Sequence, residues 1–227
     1  MTQVVAHRGA SRAQRENTVA AFQKARELGA DAVELDVRRS LDGFLVVHHN
    51  PHVDDGRIIA QTNHGELPPT IPTLQQALDA CADMWVNVEI KNDANEPDFD
   101  ATDSIADDTI AALRARDDDA RWLISSFRLE TIDRCRFLAP TIRTAWLTVE
   151  VPDDVGAMLG KRGHVALHPW VGLLTAEHVR ACHLAGIQVT TWTCDSREQM
   201  AELIGWGIDG ICTNTPDVAL AVRGGLR

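Results

Sequence analysis

Four short runs within residues 4–51 hold side chains whose types and spacing could do chemistry. They are His7-Arg8-Gly9, Glu16-Asn17-Thr18, Glu34-Leu35-Asp36 and His48-His49-Asn50-Pro51. Carboxylates suit a hard divalent cation, imidazoles suit proton transfer near neutral pH, and the planar fork of an arginine suits phosphate oxygens. Such a set would serve metal-assisted cleavage of a phosphodiester. Ordinary core or surface needs do not explain the grouping.

The carboxylates come in a strand-like context. Glu34 and Asp36 are two residues apart, so in a strand both side chains face one way. Buried without partners they would be costly; a wet edge or a salt bridge is the plain alternative. Glu89 and Lys91 repeat the spacing in Val88-Glu89-Ile90-Lys91, with apolar residues on the other face. Two inward polar pairs near strand C-termini match where barrel enzymes place reactive groups. Glu34, Asp36 and Glu89 would form an all-oxygen site for magnesium, calcium or manganese rather than zinc.

His7 ends one expected strand and His49 ends another, which suits them to acid and base work. The other seven histidines lack that setting, and His48 points away from His49 in an extended chain. Arg8 and Lys91 supply positive charge for a phosphate. Gly9 permits positive φ or close backbone approach. Asn17 reads as the N-cap of a helix over 18–28, and Glu16 as a group that orients Arg8 or His7; both stand behind the reacting groups. Trp192, near the end of an expected strand 188–193, could pack against a glycerol or alcohol moiety. Ser126-Phe127 and Thr213-Asn214 also end strands and would line the same mouth. The acidic stretch over 92–108 reads as a solvated loop and helix start.

The elements that must position these groups alternate along the chain. Strands are expected at 3–7, 32–38, 85–91, 121–126, 141–147, 164–168, 188–193 and 209–213. Helices are expected at 18–28, 73–82, 102–115, 129–138, 175–185 and 197–205. Eight strands separated by helical segments predict an α/β fold, a (β/α)8 TIM barrel, with an open doubly wound sheet as the other arrangement. No linker or composition break divides residues 1–227, so one domain is expected. Asp42-Gly43 signals a two-residue hairpin turn after the second strand. With that turn, opposing residues sum to 85 and His49 falls opposite Asp36.

Totals narrow the classes further. The net charge of −11 argues against nucleic acid, whose phosphates need a basic face. It suits an anionic small substrate only if bound cations reverse the sign locally. No apolar run approaches the roughly 20 residues of a membrane span, so no stable membrane insertion is expected. The first residues enter a strand without a basic and apolar leader, which predicts a cytoplasmic protein. Five cysteines without a C-x-x-C pair are expected to be reduced core thiols. The oligomeric state is not legible at this level.

With these residues placed, the chain resembles the glycerophosphodiester phosphodiesterase family along nearly its full length. The resemblance runs through His7-Arg8-Gly9, Glu16-Asn17-Thr18, Glu34-Leu35-Asp36-Val37, Asp42-Gly43, His49, Pro72-Thr73-Leu74, Glu89-Ile90-Lys91, Ser126-Phe127, Trp192-Thr193 and Gly207-Ile208-Asp209-Gly210. It implies a barrel that hydrolyses small glycerophosphodiesters, such as glycerophosphocholine or glycerophosphoethanolamine, to glycerol 3-phosphate and an alcohol with one divalent cation. It implies Glu34, Asp36 and Glu89 as ligands, His7 and His49 as the acid/base pair, and Arg8 and Lys91 on the phosphate. The family commonly has His-Asp where this chain reads His49-Asn50, which removes a carboxylate that could orient the histidine. A lysophospholipase D activity on the same scaffold and a non-catalytic metal- and phosphate-binding barrel are the competing readings.

Overall fold

In the computed structural model, which describes residues 1–225, short buried strands alternate with helices; the last two residues of the expected 1–227 domain lie outside the description. The chain runs β1 (Gln3–Ala6), α1 (Val19–Leu28), β2 (Ala32–Arg39), β3 (Leu45–Val47), α2 (Leu74–Ala80), β4 (Trp85–Ile90), α3 (Ser104–Arg114) and β5 (Trp122–Ser126). It continues through α4 (Leu129–Leu138), β6 (Arg143–Thr148), α5 (Val155–Arg162), β7 (Ala166–Pro169), α6 (Ala176–Leu184), β8 (Gln188–Thr191), α7 (Arg197–Gly205), β9 (Gly210–Thr213) and α8 (Pro216–Gly225). Apart from β3, each strand pairs in parallel with its neighbours, and β1 pairs with both β2 and β9. That closure makes an eight-stranded β/α barrel, and the open sheet is ruled out.

Strand alternation sorts the side chains. Val33, Leu35 and Val37 join the apolar layer between strands and helices with Phe22, Leu74, Leu78 and Leu113. A second such layer forms around Val179, Val189, Met200 and Leu203. Residues of the opposite parity point down the barrel axis, where Val5, Ala32 and Cys212 make one small cluster and Leu123, Ala145 and Ala166 another. The interior is thus packed low down and left polar near the strand C-termini.

Two helices, α5 and α8, were not expected from the sequence. The sequence of α5, Val-Gly-Ala-Met-Leu-Gly-Lys-Arg, carries two glycines, which lower helix propensity. Gly156 is there for packing: a Cβ would lie 2.8 Å from Ala185 Cβ after α6. The expected hairpin register is also corrected. The loop has three residues, with Ser40 N–H donating to Phe44 C=O at 2.9 Å and Gly43 at φ 85°. Val37 therefore pairs with Val47 and Arg38 with Val46, a one-residue shift from the two-residue turn. His48, not His49, falls opposite Asp36, and its N–H donates to Asp36 C=O at 3.0 Å.

Candidate active site

A cavity of about 190 Å³ opens at the C-terminal ends of the strands. His7, Arg8, Glu34, His49, Glu89, Lys91 and Trp192 all line it, so those sequence-selected residues do converge. Asp36 is fully buried beside them. Ligand atoms of Glu34, Asp36 and Glu89 lie within 4.8 Å of one another. Adjacent strands put them there: Asp36 is in register with Glu89, and Glu34 sits one inward step below on β2.

The charges are densely coupled. Arg8 Nε is 3.3 Å from Asp36, and Lys91 Nζ is 2.7 Å from Glu89 and 3.8 Å from Asp36. Burial, followed by repulsion from Asp36 and Glu89, pushes the Glu34 carboxyl well above its ordinary range. Glu89 is raised by burial, partly offset by Lys91. Burial also works against Asp36, but Lys91, Arg8 and His49 outweigh it and hold that carboxyl below its usual range. With all three carboxylates ionised against Arg8 and Lys91, the pocket carries an excess negative charge, and burial and mutual repulsion work against that state. Glu34 Oε1 and Asp36 Oδ1 are buried without a hydrogen-bond partner. Orphaned hard oxygens in such a pocket fit the donor set a divalent cation needs.

The loop after β1 is built for this contact. Arg8 has φ 55°, a strained value for a residue with a side chain. The turn aims its backbone N–H at Glu34 Oε2, 2.8 Å away. Gly9 follows at φ 82°, where a Cβ would strike the Ala21 backbone at 2.6 Å. Asn17 is not the helix N-cap. Thr18 takes that place by accepting from Ala21 N–H. Asn17 is buried with φ 56°, and its Nδ2 donates to Asp36 Oδ2 at 2.7 Å. Glu16 meets Arg8 Nη1 at 3.0 Å, orienting the arginine rather than His7.

Both imidazoles are held by amide oxygens. His7 Nδ1 lies 2.7 Å from Asn214 Oδ1. Asn214 Nδ2 donates to Asp195 Oδ2 at 2.7 Å, so the amide oxygen must accept and His7 Nδ1 must carry the proton. His49 Nδ1 meets Asn50 Oδ1 at 2.8 Å in the same way. Asn50 Oδ1 thus gives Nδ1 an acceptor at the position that lacks the carboxylate which could orient the histidine. Both arrangements leave Nε2 as a lone-pair acceptor. Burial lowers His7 below the ordinary 6.5, aided by Arg8, and burial lowers His49, aided by Lys91 and Arg8. Neutral imidazoles at pH 7 could each exchange a proton.

Sequence reasoning missed Asp195. Its signal was a carboxylate just past the strand end, where barrel sites are assembled. Phe127 meets Trp192 edge to face at 5.5 Å, and Lys91 Nζ lies 5.8 Å from the Phe127 ring centroid. Trp192 Nε1 donates to His168 C=O at 2.8 Å, which fixes its ring at the mouth. The acidic stretch is not merely solvated. Arg38 pairs with Glu96 and Asp98, Arg39 with Asp100 and Asp108, Arg128 with Asp103, and Arg134 with Asp107.

The glycerophosphoryl diester phosphodiesterase family model matches residues 7–61 and 55–218. A glycerophosphodiester phosphodiesterase from Caldanaerobacter subterraneus subsp. tengcongensis is 32% identical over 99% of both chains. Among solved structures, a phosphodiesterase from Oleispira antarctica in complex with its product sn-glycerol-3-phosphate superposes with a TM-score of 0.86 at 25% identity, covering 99% of this chain and 97% of that one. A glycerophosphodiester phosphodiesterase from Thermotoga maritima gives a TM-score of 0.80 at 28% identity, over 100% and 99% of the two chains. Built from the same barrel and matched along almost its whole length, the chain belongs to the glycerophosphoryl diester phosphodiesterase family.

Proposed function

We propose that the chain works as one barrel domain that hydrolyses small glycerophosphodiesters to glycerol 3-phosphate and an alcohol. The observation that carries this reading is the convergence of three buried carboxylates and two Nδ1-anchored imidazoles on one cavity. Glu34, Asp36 and Glu89 would hold one divalent cation, magnesium, calcium or manganese. When bound, it supplies positive charge against the phosphoryl oxygens. Arg8 and Lys91 add fixed positive charge where the transition state gathers negative charge. Of His7 and His49, one takes the proton of the attacking hydroxyl at Nε2; the other, converted to the imidazolium form that the anionic phosphate beside it favours, delivers its Nε2 proton to the leaving oxygen. Trp192 and Phe127 pack against the uncharged part of the substrate.

All five cysteines are buried and unpaired, which supports a reducing, cytoplasmic setting. No helix among the described residues is long and apolar enough to cross a membrane. A second reading, lysophospholipase D activity, has one observation in its favour. Phe127, Val149, Trp170 and Leu173 are exposed on the segments that follow β5, β6 and β7.

The test is glycerol 3-phosphate release from glycerophosphocholine and glycerophosphoethanolamine, after chelation and after adding back each cation. Release restored by a cation is the expected result. Failure with every cation overturns the reading, and choline release from lysophosphatidylcholine alone would favour the second.

A further inference from the structure

Arg38 is a wholly buried charge that the proposed chemistry does not use, with a side-chain exposure of 0%. It stands two residues beyond Asp36 on the same face of β2. Its Nε and Nη2 both donate to the carbonyl of His49, at 2.9 and 2.5 Å. Its Nη1 reaches Asp98 Oδ2 at 2.6 Å and Glu96 Oε2 at 2.9 Å, and Nη2 reaches Glu96 Oε1 at 3.1 Å. Four of the five guanidinium N–H groups thereby donate hydrogen bonds, and the Nη1–Glu96 Oε2 contact adds an ion pair.

The arrangement links two segments that otherwise have little in common. His49 lies beyond the three-residue β3, outside its ladder, and among the described residues its ring hydrogen-bonds to the adjacent, exposed Asn50 alone. Glu96 and Asp98 belong to the loop that leaves β4, the strand that supplies Glu89 and leads into Lys91. That loop has its own anchors: Asn92 Nδ2 donates to Asp103 Oδ1 at 2.7 Å, and Asp100 meets Arg39 at 3.0 Å. A guanidinium buried between two carboxylates and a carbonyl is geometrically rigid, since removing any partner leaves charge unmet.

We propose that Arg38 is a positioning residue, through which the loop after β4 sets the placement of His49 at the cavity. This rests on the acid/base reading of His49. A lysine at position 38 keeps the charge but lacks the fork that serves one carbonyl and two carboxylates at once.

The experiment uses the full chain and measures kcat and KM on glycerophosphoethanolamine, with Mn2+ binding by calorimetry as a separate readout. Arg38→Lys and Asp98→Asn are expected to lower kcat roughly 10- to 100-fold while KM and Mn2+ affinity stay within about twofold, as expected for a small misplacement of a reacting group. A purely structural role would lower the melting temperature and leave kcat of the folded protein unchanged. If Arg38→Lys does not fold, Glu96→Gln, at a partly exposed carboxylate, tests the same link. Wild-type kcat in a folded, Mn2+-binding variant overturns the proposal. His49→Ala separates the two failures. If it retains turnover, the acid/base reading falls and this inference with it. If it is dead while Arg38→Lys is fully active, only the positioning role falls.

Discussion

Around one cavity, β1, β2, β4 and the turn after β3 contribute His7, Arg8, Glu34, His49, Glu89 and Lys91, whereas β5 to β8 and the residues just past them contribute Phe127, Leu147, His168, Thr190 and Trp192. The first half carries the ionised groups, and the second presents rings, aliphatic surface and a neutral histidine. His168 is buried, and burial lowers it to about 3. A low-dielectric wall facing a cluster of charges strengthens every interaction within the cluster. On the proposed reading, bond cleavage falls to the first half, which leaves the second free to select what is attached to the phosphate.

The comparison is broken most directly at the charged half. Glu34→Ala should abolish both glycerol 3-phosphate release and its dependence on added cation, and His7→Ala should cost roughly 10²- to 10⁴-fold in kcat. Substantial turnover in either, measured under saturating cation, would show that the chemistry is placed wrongly. Asp195 sharpens the picture, because it follows β8 yet serves His7 through Asn214. Asp195→Asn frees that amide to flip, and kcat should fall about 10- to 100-fold with little change in KM. A change in KM alone would make Asp195 a binding residue.

Smaller effects are expected across the cavity. Phe127→Ala removes apolar area worth about 1–2 kcal/mol, so KM should rise about tenfold while kcat moves little. A kcat defect there would erase the distinction between the halves.

The last prediction concerns stability. His168 titrates at about 3 in the folded chain, below the ordinary 6.5. The unfolded chain therefore takes up a proton that the folded chain refuses. Stability is fully present above pH 6.5 and declines as the pH falls toward 3, by about 2 kcal/mol at pH 5. Urea unfolding at pH 7 and pH 5 should show His168→Asn losing less over that interval than the parent. Equal losses would sink the assignment.

Much of this site was legible because strand alternation binds function to spacing. Glu34 with Asp36 and Glu89 with Lys91 could only share a face, and eight alternations of strand and helix could close only a few ways. What stayed hidden depended on counting or on distance. Asp42-Gly43 announces a turn but not that Leu41 joins it, so the register came out one residue off. Asn17 has the chemistry of a cap, and only the left-handed backbone at that position shows it turned toward Asp36. Asp195, Asn214 and His7 are joined by the parallel pairing of β8, β9 and β1 where the barrel closes, which no local pattern encodes. Helix α5 was concealed by two glycines, one of which, Gly156, is set by the approach of Ala185.

The amide that holds His49 has a consequence for chemical ageing. Exposed asparagines are commonly lost when the next backbone nitrogen attacks the side-chain amide and expels ammonia. Asn50 is exposed, but the residue after it is Pro51, whose ring nitrogen carries no hydrogen and is a poor candidate for that attack. Asn214 has its own protection, because its Nδ2 is pinned against Asp195. The two orienting amides are thus placed where their slow conversion to carboxylates is hindered, and the character of both imidazoles should persist through the working life of the molecule.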